Sequence, residues 1–214
     1  MKQLKFLLTL SFMAILSSQL KAQDSADNYI EFNDRQNVVN GVYLGLNFGY
    51  GEMDGKSTYF GGAKIAYVAN RQFEVGFSGI GFYSEQNSKG LLSSNDIFGG
   101  YGGLHLEPIF FGPSKWSLSI PMLVGGGAAA YANKDLDEII DNGYGKIEDW
   151  KPFFVFEPGI SVQYNISRYF QFEMGVKYRL SSEFELYPES ITNINGFTGG
   201  IGIKMGIFNM GKNS

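Results

Sequence analysis

The sequence predicts an all-β chain that closes into an eight-stranded antiparallel up-and-down transmembrane β-barrel. Three observations carry that expectation. Apolar residues alternate with small or polar ones over long stretches. In Tyr169–Ser181, Phe170, Phe172, Met174, Val176, Tyr178 and Leu180 interleave with Tyr169, Gln171, Glu173, Gly175, Lys177, Arg179 and Ser181. That period of two belongs to a strand with two different faces. The connections between such stretches alternate short and long. With 29 glycines, 19 phenylalanines, 13 tyrosines and no cysteine in 214 residues, the chain is a glycine- and aromatic-rich β protein without a disulfide framework.

The first two dozen residues stand apart. Lys2 and Lys5 precede an apolar run, Phe6–Leu16, and small and polar residues lead to Leu20-Lys21-Ala22. This is the layout of a secretory signal peptide, with cleavage expected after Ala22, and the run is too short to span a bilayer comfortably. Residues 1–22 are therefore expected to be removed on export. They hold three of the 17 basic residues and none of the 21 acidic ones, so the mature chain carries a net charge of −7. An exported acidic chain is a poor nucleic-acid binder. No later stretch approaches eighteen consecutive apolar residues, which excludes a membrane helix. Residues 23–40 lack periodicity and are expected to form a periplasmic lead-in.

Eight strands are expected at 41–51, 58–69, 72–84, 96–110, 115–130, 152–164, 168–181 and 196–208, followed by a tail at 209–214. Ala69-Asn70-Arg71, Phe111-Gly112-Pro113-Ser114 and Asn165-Ile166-Ser167 supply tight turns with suitable turn residues. Glu52–Ser57, Ser84–Asn95, Tyr131–Lys151 and Ser182–Asn195 read as the longer, polar connections. Short periplasmic turns alternating with long outer loops are the plan of an outer-membrane barrel.

One face of the strands is bulky and uncharged: Val42, Leu44, Leu46, Phe48 and Tyr50 in the first, Phe154, Phe156, Ile160, Val162 and Tyr164 in the sixth. The other is small and polar, as in Gly45, Asn47 and Gly49. Eight strands enclose a lumen only just wide enough for side chains, so the bulky face cannot all point inward. A glycine-rich face with few charges would also be a poor water-facing exterior. The bulky face is expected to meet lipid, and the ring to close because unpaired edges cannot face hydrocarbon.

Several segments resemble the small outer-membrane barrels of the OmpA/OmpX type, in the version common among Bacteroidota. They are Lys21–Gln23, GVYLGLNFGYG at Gly41–Gly51, GGYGGLHLEPIFFG at Gly99–Gly112 and FFVFEPGISVQYN at Phe153–Asn165. Such barrels often end on an aromatic residue that helps the assembly machinery recognise the last strand, whereas here Phe208 is followed by six further residues. The resemblance implies architecture far more than activity. It implies outer-membrane lipid and lipopolysaccharide as surroundings, and the barrel assembly machinery as a partner during insertion. It leaves room for an extracellular ligand at the loops.

By parity the inward face carries Lys64, Glu74, His105, Glu107, Glu157, Glu173, Lys177, Arg179 and Lys204. Four acids and four bases point to mutual neutralisation in a structural plug, in preference to a proton or ion path, because an unpaired buried charge costs several kcal/mol. Counting up from the turns sets Glu157 level with Lys177, and Glu173 level with Lys204. His105 is the only histidine, which rules out a His-rich metal site. Some outer-membrane barrels hydrolyse lipid A with a histidine and a serine or acidic partner facing lipid. His105 faces inward and is expected to pair with Glu107. No cofactor and no metal are expected. Glu107-Pro108, Pro121 and Glu157-Pro158 fall inside strands and predict irregular pairing, since proline cannot donate to a ladder. The acid-rich stretch 131–151 lacks the carboxylate spacing of an EF-hand and reads as a solvated loop, with a helical turn expected at Leu136–Asp141. Three function classes follow: a non-enzymatic envelope barrel acting through its loops, a narrow pore or transport component, and, least favoured, a lipid-modifying enzyme.

Overall fold

The computed structural model describes residues 39–53, 55–85, 96–131, 150–184 and 193–210. The expected leader (1–22), the lead-in up to residue 38, the helical turn at Leu136–Asp141 and the tail beyond residue 210 lie outside them. Among the described residues all regular structure is strand: β1 Asn40–Met53, β2 Lys56–Ala69, β3 Phe73–Ser84, β4 Ile97–Phe110, β5 Trp116–Ser119, β6 Met122–Tyr131, β7 Lys151–Asn165, β8 Phe170–Ser181 and β9 Gly196–Met210. Every pairing is antiparallel: each strand pairs with its chain neighbours, except that β5 and β6 both pair with β4 and with β7, and β9 pairs with β1, which closes the ring. β5 and β6 together make one stave, so nine segments form eight staves.

The register fixes how far the staves slant. Ile109 on β4 leads through partners Ser119, Ser161, Gly175, Gly200, Gly49, Phe60 and Phe82 back to β4 at Gly99. One circuit thus returns ten residues from its start. With ordinary strand rise and spacing, that stagger tilts eight strands by about 40°. The 14-residue β1 then rises about 30 Å, enough to cross an apolar band.

The faces fall as parity requires. Phe48, Phe77, Phe154 and Phe197 stand outward, between 65% and 79% exposed. A water-soluble barrel would not present such a belt, so this face meets hydrocarbon. Aromatic pairs mark both rims: Trp116–Tyr164 at the turn end, Tyr50–Tyr59 and Tyr178–Phe197 at the loop end. The belt is uneven. Two outward rows on neighbouring staves carry no bulk: Ala63, Gly79, Gly102, Gly126 and Gly61, Gly81, Gly100, Ala128. A Cβ at Gly79 would meet nothing within 4 Å. Glycine is required instead on the inner face, where a Cβ at Gly76, Gly103 or Gly125 would lie 2.0 to 2.2 Å from a neighbouring carbonyl oxygen.

Two expectations need correction. The first connection is not a long loop: β1 and β2 pair out to Met53 and Lys56, leaving only residues 54–55. Gly55 adopts φ +71° there, which costs glycine little. The short–long alternation therefore fails at its first member, because an Asp-Gly pair suits a two-residue hairpin. The fifth strand is also broken, at Ile120-Pro121. The proline sector is irregular through missing pairs, with the register kept: β5 and β6 hold the same alignment on β4 and on β7. Ile120 N–H donates to Pro108 O at 3.0 Å and Gly159 N–H to Pro121 O at 2.8 Å. Pro108, Pro121 and Pro158 sit together on three adjacent staves, so one patch of wall absorbs these three lost donors, while Pro152 lies at the loop end of β7 opposite Ala128.

Candidate functional site: an ion network inside the ring

Eight of the nine inward residues expected from the sequence are at most 5% exposed; Lys177, with 22% of its side chain exposed, is the exception. They gather in two groups at different heights.

The group nearer the tight turns joins three carboxylates through two ammoniums. Lys64 Nζ lies 2.9 and 3.1 Å from the two oxygens of Glu173 and 3.3 Å from Glu107 Oε2. Lys204 Nζ lies 2.8 and 3.0 Å from the oxygens of Glu74, 3.1 Å from Glu173 Oε2 and 3.4 Å from Glu107 Oε2. His105 Nε2 sits 2.8 Å from Glu107 Oε2 and 3.9 Å from Glu74 Oε2. Neutral donors occupy the remaining lone pairs. Tyr43 O–H donates to Glu74, and Ser119 O–H and the Gln163 amide each donate to Glu107 Oε1 at 2.6 Å. Tyr43 also puts its ring face 5.0 Å from Lys204 Nζ. Every stave contributes a member: Tyr43, Lys64, Glu74, Glu107, Ser119, Gln163, Glu173 and Lys204 in chain order. Charges buried this deeply are stable only when each is multiply bonded, and here they are.

The group nearer the loops has one carboxylate for two cations. Glu157 accepts from Tyr101 O–H at 2.5 Å, with Lys177 Nζ at 3.7 Å and Arg179 Nη1 at 3.8 Å. Arg179 is fully buried but spreads its donors elsewhere: Nε to Ile194 O at 2.7 Å, Nη1 to Thr198 Oγ1 at 3.3 Å and Nη2 to Glu52 O at 3.5 Å. Its guanidinium lies 4.3 Å from the Phe60 ring centre. The balance of four acids and four bases thus divides three to two below and one to two above, not counting His105.

Between the groups is a cavity of about 40 Å³ reached by Asn47, Glu157, Ser161, Glu173 and Lys177. That is room for two or three waters, and Asn47 Oδ1 has no protein partner. Met53, Phe82, Ile97, Phe153, Phe184 and Ile194 pack as an apolar layer above, and Ala66, Val68 and Ile109 as a smaller one below.

Glu74, His105 and Glu107 bring ligand atoms within 4.8 Å of one another, a spacing a metal ion can use. Lys204 and Lys64 already hold those carboxylates, and their ammoniums would repel a dication at such range. The donor set is filled by protein cations. His105 has a carboxylate neighbour but, at 3% exposure inside the ring, cannot touch an acyl chain in the bilayer.

No protein-family model matches the sequence, and no curated protein does. Among solved structures, the chain is similar to Neisserial surface protein A (TM-score 0.47, 13% identity, 79% of this chain against 96% of that one). It is similar to Ail, the attachment invasion locus protein of Yersinia pestis, in complex with the heparin analogue sucrose octasulfate (0.45, 15%, 79% against 99%). It is likewise similar to the outer membrane protein OprG from Pseudomonas aeruginosa (0.47, 11%, 79% against 96%). The barrel assignment rests on the closed ring of pairings and the apolar belt, independently of these likenesses.

Proposed function

We propose that the chain is a non-enzymatic outer-membrane barrel whose lumen is a structural plug, and that it serves envelope integrity or surface interactions through its outer loops. One observation carries this reading. All eight staves send a side chain into a single buried network, with apolar layers above and below, and the space between the two ionic groups is only about 40 Å³. A conducting pore needs a continuous wet path and residues free to exchange partners, whereas here each carboxylate is bonded by at least two groups. Outer-membrane lipid and lipopolysaccharide are its proposed surroundings, and the assembly machinery its partner during insertion.

Reconstitution in planar bilayers tests the plug. The folded protein should leave the membrane non-conducting, and stable single-channel steps would replace this reading with that of a narrow pore. A heat-modifiability gel checks beforehand that the protein under test is folded.

A further inference from the structure

At the turn end the lumen opens into a second, larger cavity of about 400 Å³, the size of a small-molecule pocket. Three different turns each lend it a cation: Arg71, Lys115 and Arg168. Among the described residues none of the three is ion-paired. Arg71 holds φ +55° in the β2–β3 turn, a conformation uncommon for a side-chain-bearing residue. Lys115 and Arg168 lie at the rim, 5.4 and 5.9 Å from the ring centres of Tyr164 and Tyr169.

A second, independent feature lies deeper. Gln171, 6% exposed, also lines this cavity, and its carbonyl oxygen has no partner, although its amide donates to Asn165 Oδ1 at 2.8 Å. A buried acceptor left unsatisfied is destabilising, so the site favours a ligand that brings a hydroxyl donor. The Glu74 carboxylate at the cavity's inner end is neutralised by Lys204 at 2.8 Å and does not cancel the three rim cations.

From these two features we infer that the vestibule binds a phosphorylated polyol. Its phosphate sits among Arg71, Lys115 and Arg168, and a hydroxyl donates to Gln171 Oε1. Glycerol phosphate is the simplest such group, either as a free solute or as the headgroup of phosphatidylglycerol in the leaflet at the turn end. The headgroup source rests on the membrane placement proposed above. The soluble source does not, so the two fail separately.

Trp116 sits at the rim beside Lys115 and is one of only two tryptophans. A Trp150→Phe variant, folded in a maltoside micelle, therefore reports the site by fluorescence. Adding glycerol 3-phosphate should shift Trp116 emission saturably, and inorganic phosphate should do so more weakly. Glycerol alone should do nothing. Replacing Arg71, Lys115 and Arg168 together by Gln should weaken binding about tenfold or more and remove its salt dependence. Gln171→Leu should keep phosphate binding while abolishing the preference for the polyol. In nanodiscs, a shift with phosphatidylglycerol but not phosphatidylcholine, without any response to the soluble compound, would assign the headgroup as the source. No saturable shift in either arm overturns the inference, as does an equal response from the triple variant when a heat-modifiability gel shows it folded.

Discussion

The two ionic groups inside the ring obey different rules. The one near the turns is dense and redundant: Glu107 has two ammoniums, an imidazole, a serine and a glutamine around it, and Lys204 touches three carboxylates. The one near the loops is sparse. Its two cations share one carboxylate at 3.7 and 3.8 Å, and Arg179 relies mainly on backbone carbonyls and a ring face. The contrast shows that a count of charges says little about how strongly each is held. What matters is how many neighbours would be stranded by removing one.

Removing the most connected cation should do the most harm. Lys204→Met leaves three buried carboxylates with one ammonium, and should cost about 3–5 kcal/mol of barrel stability. Adding Glu74→Gln should recover part of that loss, as denaturant titrations in lipid vesicles analysed as a double-mutant cycle would reveal. Strictly additive losses would mean that the pair is not coupled.

The next prediction sharpens the comparison by moving a charge across the wall. Val176 and Lys177 are successive residues at one height, the first facing lipid at 54% exposure and the second facing the lumen. Val176→Arg should cost roughly 2–4 kcal/mol if it lies near the midplane, and Ile203→Arg should behave alike. Vesicle folding that tolerates both would reverse the assignment of faces.

Within the sparse group the effects should shrink. Glu157→Gln strips Arg179 and Lys177 of their shared carboxylate but leaves Arg179 its carbonyl acceptors, for an expected loss of about 1–3 kcal/mol in the same titration. Lys177→Met should cost less than about 1 kcal/mol, because a partly solvated ammonium at 3.7 Å gains little from its partner. If Lys177→Met proved as damaging as Lys204→Met, the two groups would not differ as described.

Much of this arrangement was legible in the sequence. Period-two alternation assigns each side chain a face, and Lys64, Glu74, Glu107 and Lys204 share the inward one by parity alone. Height above the turns set Glu173 level with Lys204, which now lie 3.1 Å apart. Azimuth across the lumen was not legible. Lys64 meets Glu173 from a stave three places round the ring, and no count along a strand gives that angle, which depends on shear and tilt. The neutral partners Tyr43, Ser119, Gln163 and Tyr101 were also missed, although the same parity rule applied to uncharged polar residues would have found them. The break at Pro121 escaped because a proline signals lost donors without saying whether register slips as well.

The network also has a consequence for the order of events. Its contacts join residues far apart in the chain: Lys204 and Glu74 are 130 positions apart, Lys64 and Glu173 109. None of these can form before β9 meets β1. These two pairs therefore gain nothing from a half-built sheet, unlike His105 with Glu107 or Glu157 with Lys177 and Arg179, and such distant contacts belong late on the folding route. Interactions absent from the transition state slow unfolding without hastening assembly. The ring-closing pairs thus act as a latch, bearing on how long a closed barrel lasts rather than on how fast it is made.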